Sequence, residues 1–222
     1  MNAPESALAP TESWESAYAR FETPEEETRK FIGRLRRLEA GEWPVDACIL
    51  ELFCGRGNGL VALERLGFRR VVGIDLSREL IAMYRGRVPC CVADCRALPV
   101  RQASQDVVIV QGGLHHLQEL PHDVERVVDE VRRVLKPRGL FVVVEPWPTL
   151  FLDFVHHVGR SRLVRRLWKK MDALGIMIEQ EGETYTRWLR QPDVISTLLC
   201  DRFEPRIHQQ RWGKLLFSGY KR

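Results

Sequence analysis

The chain has 222 residues, of which 45% are hydrophobic and 29% charged, and its formal net charge is +4. This length favours one domain with decorations, large enough to bury a sizeable core. No apolar run approaches the roughly 20 residues that span a bilayer, and the N-terminus lacks the parts of a signal peptide. We therefore expect a cytoplasmic protein with no membrane partner, and the mild charge does not argue for nucleic acid.

The N-terminal region is predicted to be helical after a disordered tail at residues 1–10, which is rich in Ala, Pro and Ser. From Glu12 to Leu38 the pattern predicts one or two helices, broken where Thr23 caps the second helix and Pro24 takes its first position. An apolar stripe on that helix needs a surface to pack on. It consists of Phe31, Ile32, Leu35 and Leu38.

A glycine-rich loop follows the first apolar strand, which begins near Ile49 and runs through Glu51. Gly55, Gly57 and Gly59 can take positive φ and carry no Cβ, so the backbone can approach a bound molecule as a helix begins. Nucleotide-like cofactors bind in this way. Alone the signal is weak, because dehydrogenases and plain tight turns share it.

Four further short apolar runs each end at a polar residue. The five runs end at Glu51, Asp75, Asp94, Gln111 and Glu145. With helical stretches between them they predict a parallel sheet covered by helices, whose carboxyl ends form the ligand-binding edge. The alternative is that these residues only cap the following helices; five at equivalent positions favour a site.

The C-terminal segment predicts an antiparallel hairpin. Its strands are Arg206–Trp212 and Leu215–Tyr220, joined at Gly213 and Lys214. Together with the five runs this gives a seven-stranded, mostly parallel α/β sheet with helices on both faces.

Five motifs follow one another along the chain. They are Glu-Leu-Phe-Cys-Gly-Arg-Gly-Asn-Gly at 51–59, Gly-Ile-Asp-Leu-Ser at 73–77, Ala-Asp-Cys-Arg-Ala-Leu-Pro at 93–99, Gly-Gly-Leu-His-His-Leu at 112–117 and Val-Leu-Lys-Pro-Arg-Gly-Leu at 134–140. Their order and spacing resemble those of the class I S-adenosylmethionine-dependent methyltransferases. The resemblance runs from about Cys48 to Glu145. It implies a Rossmann-like fold, a methyltransferase activity, and S-adenosyl-L-methionine as cofactor with S-adenosyl-L-homocysteine as product.

Under that resemblance the polar residues gain specific roles. Asp75 can accept both ribose hydroxyl hydrogens and Asp94 the adenine amine, while backbone amides of the glycine loop suit the methionine carboxylate. Carbonyls near Gly55 and Gln111 suit the ammonium group, and Glu51 is expected to act one step back. The predicted cofactor-binding set is Glu51, Cys54, Gly55, Gly57, Gly59, Asp75, Leu76, Asp94, Cys95, Gln111 and Gly112.

His115 and His116 are the predicted catalytic residues, because they follow the fourth strand directly into the site. If the acceptor is a hydroxyl or an ammonium, a histidine can remove its proton. One of the two is expected to be structural, and the sequence does not say which. Weaker candidates are Glu145, His156, His157 and Tyr185. No metal site is expected, since the six cysteines include no CxxC pair and reduced thiols are the default.

Two segments are expected to shape the acceptor pocket. We predict a single domain over 11–222, in which residues 11–44 form N-terminal helices and residues 146–202 a helical cap insertion. The Tyr18 to Phe21 stretch is a candidate cover for the cofactor, or the helices simply pack on the sheet. Thr149 to Leu174 is predicted to be helical, and Pro192 to Cys200 to form another helix.

The first of these predicted helices has two faces. The apolar face carries Leu163, Val164, Leu167, Trp168, Met171 and Leu174, and the basic face carries Arg160, Arg162, Arg165, Arg166, Lys169 and Lys170. The basic face is interpreted either as a solvated surface or as a contact for an anionic partner.

The predicted function is methyl transfer to a small-molecule acceptor, for which an anionic molecule is one candidate, by a monomer or homodimer. The alternatives are an RNA or protein methyltransferase, an NAD-dependent oxidoreductase, and a non-catalytic cofactor-binding protein. Asp94 and the antiparallel hairpin weigh against the oxidoreductase, and the intact glycine loop weighs against the non-catalytic protein.

Overall fold

The structure, a computed structural model, describes residues 14–159 and 161–222, so the predicted tail at 1–10 lies outside the described residues. The helices are α1 Trp14–Phe21, α2 Pro24–Arg37, α3 Asn58–Arg65, α4 Arg78–Met83, α5 His122–Val134, α6 Leu150–Gly159, α7 Arg162–Leu167, α8 Lys169–Leu189 and α9 Pro192–Arg202. The strands are β1 Cys48–Leu52, β2 Arg70–Asp75, β3 Cys90–Val92, β4 Gln105–Gln111, β5 Leu135–Pro146, β6 Phe203–Arg211 and β7 Lys214–Lys221.

The strands form one seven-stranded sheet in the order β3-β2-β1-β4-β5-β7-β6. Strands β1 to β5 are parallel to one another, β7 is antiparallel to β5, and β6 is antiparallel to β7. The predicted α/β fold class is therefore confirmed. The order reverses between β1 and β4, and an open sheet of this kind binds its ligands outside the carboxyl ends at such a point.

Successive side chains of each strand point to opposite faces of the sheet. On β1, Ile49 joins a core with α2 and α3, whereas Leu50 and Leu52 join a core with α5 and α9. Glu51 therefore lies on the α3 side. This alternation decides which helix each side chain at the carboxyl edge meets.

The N-terminal helices form as predicted. The Thr23 side chain accepts a hydrogen bond from the Glu26 amide at 3.2 Å, and the Glu26 carboxylate accepts one from the Thr23 amide at 3.0 Å, which is a complete capping box. Phe31 and Leu35 of the apolar stripe are buried in the core shared with α3.

The C-terminal hairpin is confirmed, with its turn one residue earlier than predicted. Arg211 pairs with Lys214, so the turn residues are Trp212 and Gly213 rather than Gly213 and Lys214. Both have positive φ, 53° and 71°, which matches the twist of the flanking strands. The prediction was wrong because Trp seldom adopts positive φ.

The region predicted as one helix over Thr149 to Leu174 consists of α6, α7 and the start of α8. Trp168 has an extended backbone, φ −127° and ψ 97°, and separates α7 from α8. Leu167 and Trp168 are 78% and 58% exposed, so the predicted apolar face is wrong at these positions. Arg160 and the side chains of Arg162, Leu163 and Val164 lie outside the described residues.

Two cations of the predicted basic face have partners within the protein. Arg165 forms ion pairs with Asp172 and Glu179, and Lys170 lies 3.0 Å from Glu26 of α2. The described part of the chain contains no helix that is both long and apolar enough to cross a membrane.

Candidate functional site

A cavity of about 810 Å³ lies at the carboxyl edge of the sheet, next to the neighbouring strands β1 and β4. Loops that follow β1, β2, β3 and β4 form its floor, and side chains of α2 and α8 complete its walls. The predicted residues that line it are Glu51, Cys54, Gly55, Gly59, Asp75, Leu76, Asp94, Cys95, Gln111, Gly112 and His116. Gly57 and His115 are the predicted site residues that do not line it.

The glycines of the loop do different things. Gly55 and Gly57 have positive φ, 52° and 82°, as predicted. Gly57 nevertheless does not line the cavity, and a Cβ at this position would overlap the ring of Tyr84. Gly59 has no positive φ; it is needed because a Cβ there would overlap the carboxylate of Glu51.

Asp75, at the end of β2, holds the glycine loop. Its Oδ2 accepts a hydrogen bond from the Gly55 amide at 2.7 Å, and its Oδ1 accepts one from the Ser77 amide at 2.8 Å. A carboxylate has about four acceptor positions, so two remain for a ligand in the cavity. The same side chain thus fixes the loop and presents acceptors to a ligand.

Glu51 and Gln111 place two unsatisfied acceptors in the cavity wall. The Gln111 amide lies 3.4 Å from Glu51 Oε1, and both side chains are buried. Glu51 Oε2 and Gln111 Oε1 have no hydrogen-bond partner. Burial raises the pKa of Glu51 to about 8. Such a pair suits a ligand that carries a cation with several N–H donors.

Asp94 is held by Arg96, which the sequence analysis did not single out. The Arg96 guanidinium donates to Asp94 Oδ2 at 2.8 Å and to Asp123 Oδ1 at 3.0 Å, and the Arg96 amide donates to Asp94 Oδ1 at 2.8 Å. The hydrogen bonds from Arg96 lower the pKa of Asp94 below its ordinary value, so this carboxylate is ionised.

The two histidines have separate environments. His115 is buried, and its Nδ1 lies 2.7 Å from Oε2 of Glu145. Glu145 Oε1 accepts hydrogen bonds from the amides of Gly113 and Leu114, both at 2.8 Å. Although burial opposes ionisation, His115 and these amides lower the pKa of Glu145. Glu145 and His115 therefore fix the loop after β4.

His116 is the histidine that reaches the cavity, where its side chain is exposed. The surrounding protein and the neighbouring His115 lower the pKa of His116 below its ordinary value. The imidazole is therefore neutral near physiological pH, the form whose unprotonated ring nitrogen can act as a base.

Helices α2 and α8 contribute residues that the sequence analysis missed. Glu27 and Phe31 line the cavity from α2, and Gln180 and Thr184 line it from α8. Glu27 also accepts a hydrogen bond from Asn58, at the start of α3. The spacing of Glu27 four residues before Phe31 puts both on one helix face, which was a usable signal.

Helix α1, which carries the predicted cover at Tyr18 to Phe21, packs against α8. Arg20 of this stretch lies 3.1 Å from Asp172, whereas the Tyr18 side chain is not described.

The weaker candidates Glu145, His156, His157 and Tyr185 are absent from the cavity lining. Within the described ranges, no group of three or more His, Cys, Asp and Glu side chains could hold a metal ion.

Comparisons with known proteins agree with this geometry. A methyltransferase-domain family matches residues 50–143. A protein of unknown function from a Streptomyces fradiae transposon is 33% identical over 59% of this chain and 39% of its own length. The ubiquinone/menaquinone biosynthesis C-methyltransferase of Acidiphilium cryptum is 28% identical over 62% of this chain and 55% of its own length. The chain thus spans about half the length, or less, of these two relatives.

The fold has close counterparts among solved structures. A protein from Pyrococcus horikoshii superposes with a TM-score of 0.65 and 22% identity, covering 93% of this chain and 97% of its own. A geranyl diphosphate C-methyltransferase of Streptomyces coelicolor, solved with S-adenosyl-L-homocysteine, has a TM-score of 0.58 and 15% identity over 96% of this chain and 86% of its own. The matched family, the sheet order and the retained motifs together indicate a class I S-adenosylmethionine-dependent methyltransferase domain at residues 50–143.

Proposed function

We propose that the protein binds S-adenosyl-L-methionine in this cavity and transfers its methyl group to a small-molecule acceptor. The observation that carries the proposal is the pair of buried acceptors without partners, Glu51 Oε2 and Gln111 Oε1, in the cavity wall. An α-ammonium group supplies the N–H donors and the positive charge that these atoms lack. The bound cofactor supplies a methyl group already activated on a sulfonium sulfur.

The remaining cofactor contacts follow from the same edge of the sheet. Asp75 offers free acceptor positions for ribose hydroxyls next to the loop that it holds. Asp94, kept ionised by Arg96, is the acceptor proposed for the adenine amine. Backbone amides at the start of α3 are the donors proposed for the methionine carboxylate.

The acceptor space is proposed to lie between the loop after β4 and the side chains of α2 and α8. His116, Phe31 and Thr184 reach this part of the wall from three separate elements. A cavity of this size, lined by aromatic rings and a few polar groups, fits a small organic molecule better than a polymer. In our proposal His116 accepts the proton of an acceptor hydroxyl or ammonium group.

Labelling of separated cell fractions tests the acceptor class. The purified full chain would be incubated with methyl-labelled S-adenosyl-L-methionine and with small-molecule, RNA and protein fractions of a cell extract. We expect label in the small-molecule fraction, and this label should be absent with the Asp75→Ala variant. Incorporation into RNA or protein alone would contradict a small-molecule acceptor.

A further inference from the structure

An exposed aromatic patch lies on the surface near the carboxyl edge of the sheet. It consists of Leu150, Phe151, Phe154 and Trp212, which are 89%, 43%, 63% and 64% exposed. Leu150 and Phe154 are one turn apart on α6, and the rings of Phe151 and Trp212 meet edge to face at 5.2 Å. The patch is therefore continuous across two elements.

The position of the patch follows from the topology. α6 begins four residues after β5 ends at Pro146, and Pro146 pairs with Lys214, next to the hairpin turn that carries Trp212. The patch thus lies at the same edge of the sheet as the cavity. α6 also packs against α8, whose Gln180 and Thr184 line that cavity.

Exposed cations accompany exposed apolar side chains on this part of the molecule. Arg211 precedes Trp212 in the hairpin, and Arg166 and Lys169 flank Leu167 and Trp168, which form a second exposed apolar group. In the described part of the chain, these three cations have no ion pair. Asp153 and His157 are the exposed titratable residues of α6.

We propose that the aromatic patch docks on an anionic lipid bilayer, with the neighbouring cations facing the headgroups. Aromatic and leucine side chains enter the boundary between headgroups and acyl chains, and Arg and Lys beside them attract anionic lipid. This mode needs no spanning segment. It therefore revises the prediction of no membrane partner, which rested on the lack of a spanning run and of signal-peptide features.

The size of the patch favours a membrane over a second copy of the chain. A full aromatic side chain has an area of about 150–250 Å², so the exposed parts of the four patch residues together have an area on the order of 500 Å². Each partner in a standard protein interface contributes roughly 800 Å². Trp212 also projects from a two-residue turn, a shape suited to insertion into a soft surface.

Vesicle flotation of the full chain tests the proposal. The probes are vesicles of phosphatidylcholine alone and vesicles that also contain about 30% phosphatidylglycerol. We expect the protein to float with the anionic vesicles, and the double variant Phe154→Ser, Trp212→Ser to lower the partition coefficient at least about tenfold. Arg211→Glu should weaken binding to anionic vesicles and leave weak binding to neutral ones unchanged.

Matched controls separate the patch from general stickiness. Val45 and Val194 are exposed apolar residues outside the patch, 59% and 47% exposed, and Val45→Ser, Val194→Ser should bind vesicles like the wild type. Circular dichroism checks that each variant is folded. No flotation at millimolar lipid, or equal loss in the control variant, would overturn the proposal. So would self-association in sedimentation that the patch variant abolishes, because the occupant would then be a second copy.

Discussion

At the scale of single residues, Glu51 makes the stability of the protein depend on pH. Its pKa is raised from the ordinary 4.5 to about 8, so the folded state binds this proton more tightly than the unfolded chain. The contribution of Glu51 to the free energy of unfolding is complete below about pH 4.5. It is lost as the pH rises towards about 8, at about 1.4 kcal/mol for each pH unit.

Glu51→Gln should remove this loss. Relative to the wild type, the variant should gain up to a few kcal/mol of unfolding free energy between about pH 5 and pH 8, measured by urea denaturation without ligand. The control is Glu130→Gln, because hydrogen bonds from Arg133 and the Leu98 amide lower the pKa of Glu130. That carboxylate stabilises above its ordinary pKa, so its replacement should cost stability at pH 8. A parallel pH dependence in wild type and Glu51→Gln would contradict the assignment.

The two histidines should respond differently to replacement by alanine. His115→Ala leaves the buried Glu145 carboxylate without one of its hydrogen-bond partners and should lower the unfolding free energy by about 1–3 kcal/mol. His116→Ala removes a side chain exposed to the cavity and should change it by less than about 1 kcal/mol.

Although His116→Ala should change stability little, it should reduce turnover strongly. We expect His116→Ala to lower turnover by about 10²–10⁴-fold, with cofactor affinity within a few-fold of wild type. Because the pKa of His116 is lowered, the wild-type rate should stay constant from about pH 7 down past the ordinary histidine pKa of about 6.5. Equal losses of turnover and cofactor affinity in His116→Ala would instead indicate a structural role.

At the scale of elements, the kink in α8 positions the wall of the cavity. Gly182 has φ 51° and ψ −116°, a conformation open essentially to glycine alone, and it separates Gln180 from Thr184. Apart from its chain neighbours and the adjacent helix backbone, no atom of the described residues lies within 4 Å of where its Cβ would be, so backbone strain is what opposes a side chain there.

Two glycine-to-alanine variants isolate that strain. Gly182→Ala should cost about 1–3 kcal/mol and lower the melting temperature. Gly33 in α2 has equally open space and no positive φ, so Gly33→Ala should add about 0.5–1 kcal/mol. Thermal denaturation followed by circular dichroism gives both values. If Gly182→Ala raised the melting temperature, the fold would not require the positive φ at this position.

The sequence was most informative where local chemistry determines the element. The capping box at Thr23, the strand before the glycine loop and the acid at Asp75 need only neighbours in the chain. The hairpin turn was misplaced, because positive φ at Trp212 is set by pairing between β6 and β7 rather than by the residue. Leu167 and Trp168 were assigned to a buried face by helical spacing, which fails where Trp168 interrupts the helix.

The residues of the candidate site, too, could be predicted only in part from the sequence. The acids at the strand ends could be predicted from the sequence, since parallel strands bring their carboxyl ends together. The contributions of Gln180 and Thr184 could not, because they depend on how α8 folds back over the sheet. Nor could the separate roles of His115 and His116, which are set by the buried Glu145 on β5.

At the scale of the whole molecule, the parallel sheet gathers its ligand groups at one edge, while helices on both faces supply the hydrophobic core. The antiparallel pair β6–β7 completes the sheet beyond β5 and puts the hairpin turn at the same edge. The proposed cofactor contacts, the proposed acceptor wall and the aromatic patch therefore share one side of the protein. We propose that residues 11–222 form a single domain on this basis.

The most direct measurement is calorimetric titration of the full chain with S-adenosyl-L-methionine and, separately, with NAD near pH 7. We predict binding of the first, with a proton released as the ammonium group meets Glu51, so that the measured heat varies with the ionisation heat of the buffer. Glu51→Gln should bind about 10–100-fold more weakly and release no proton, while Glu130→Gln should match the wild type. NAD should give no heat. Absence of S-adenosyl-L-methionine binding at millimolar concentration, or tighter binding of NAD, would contradict the account.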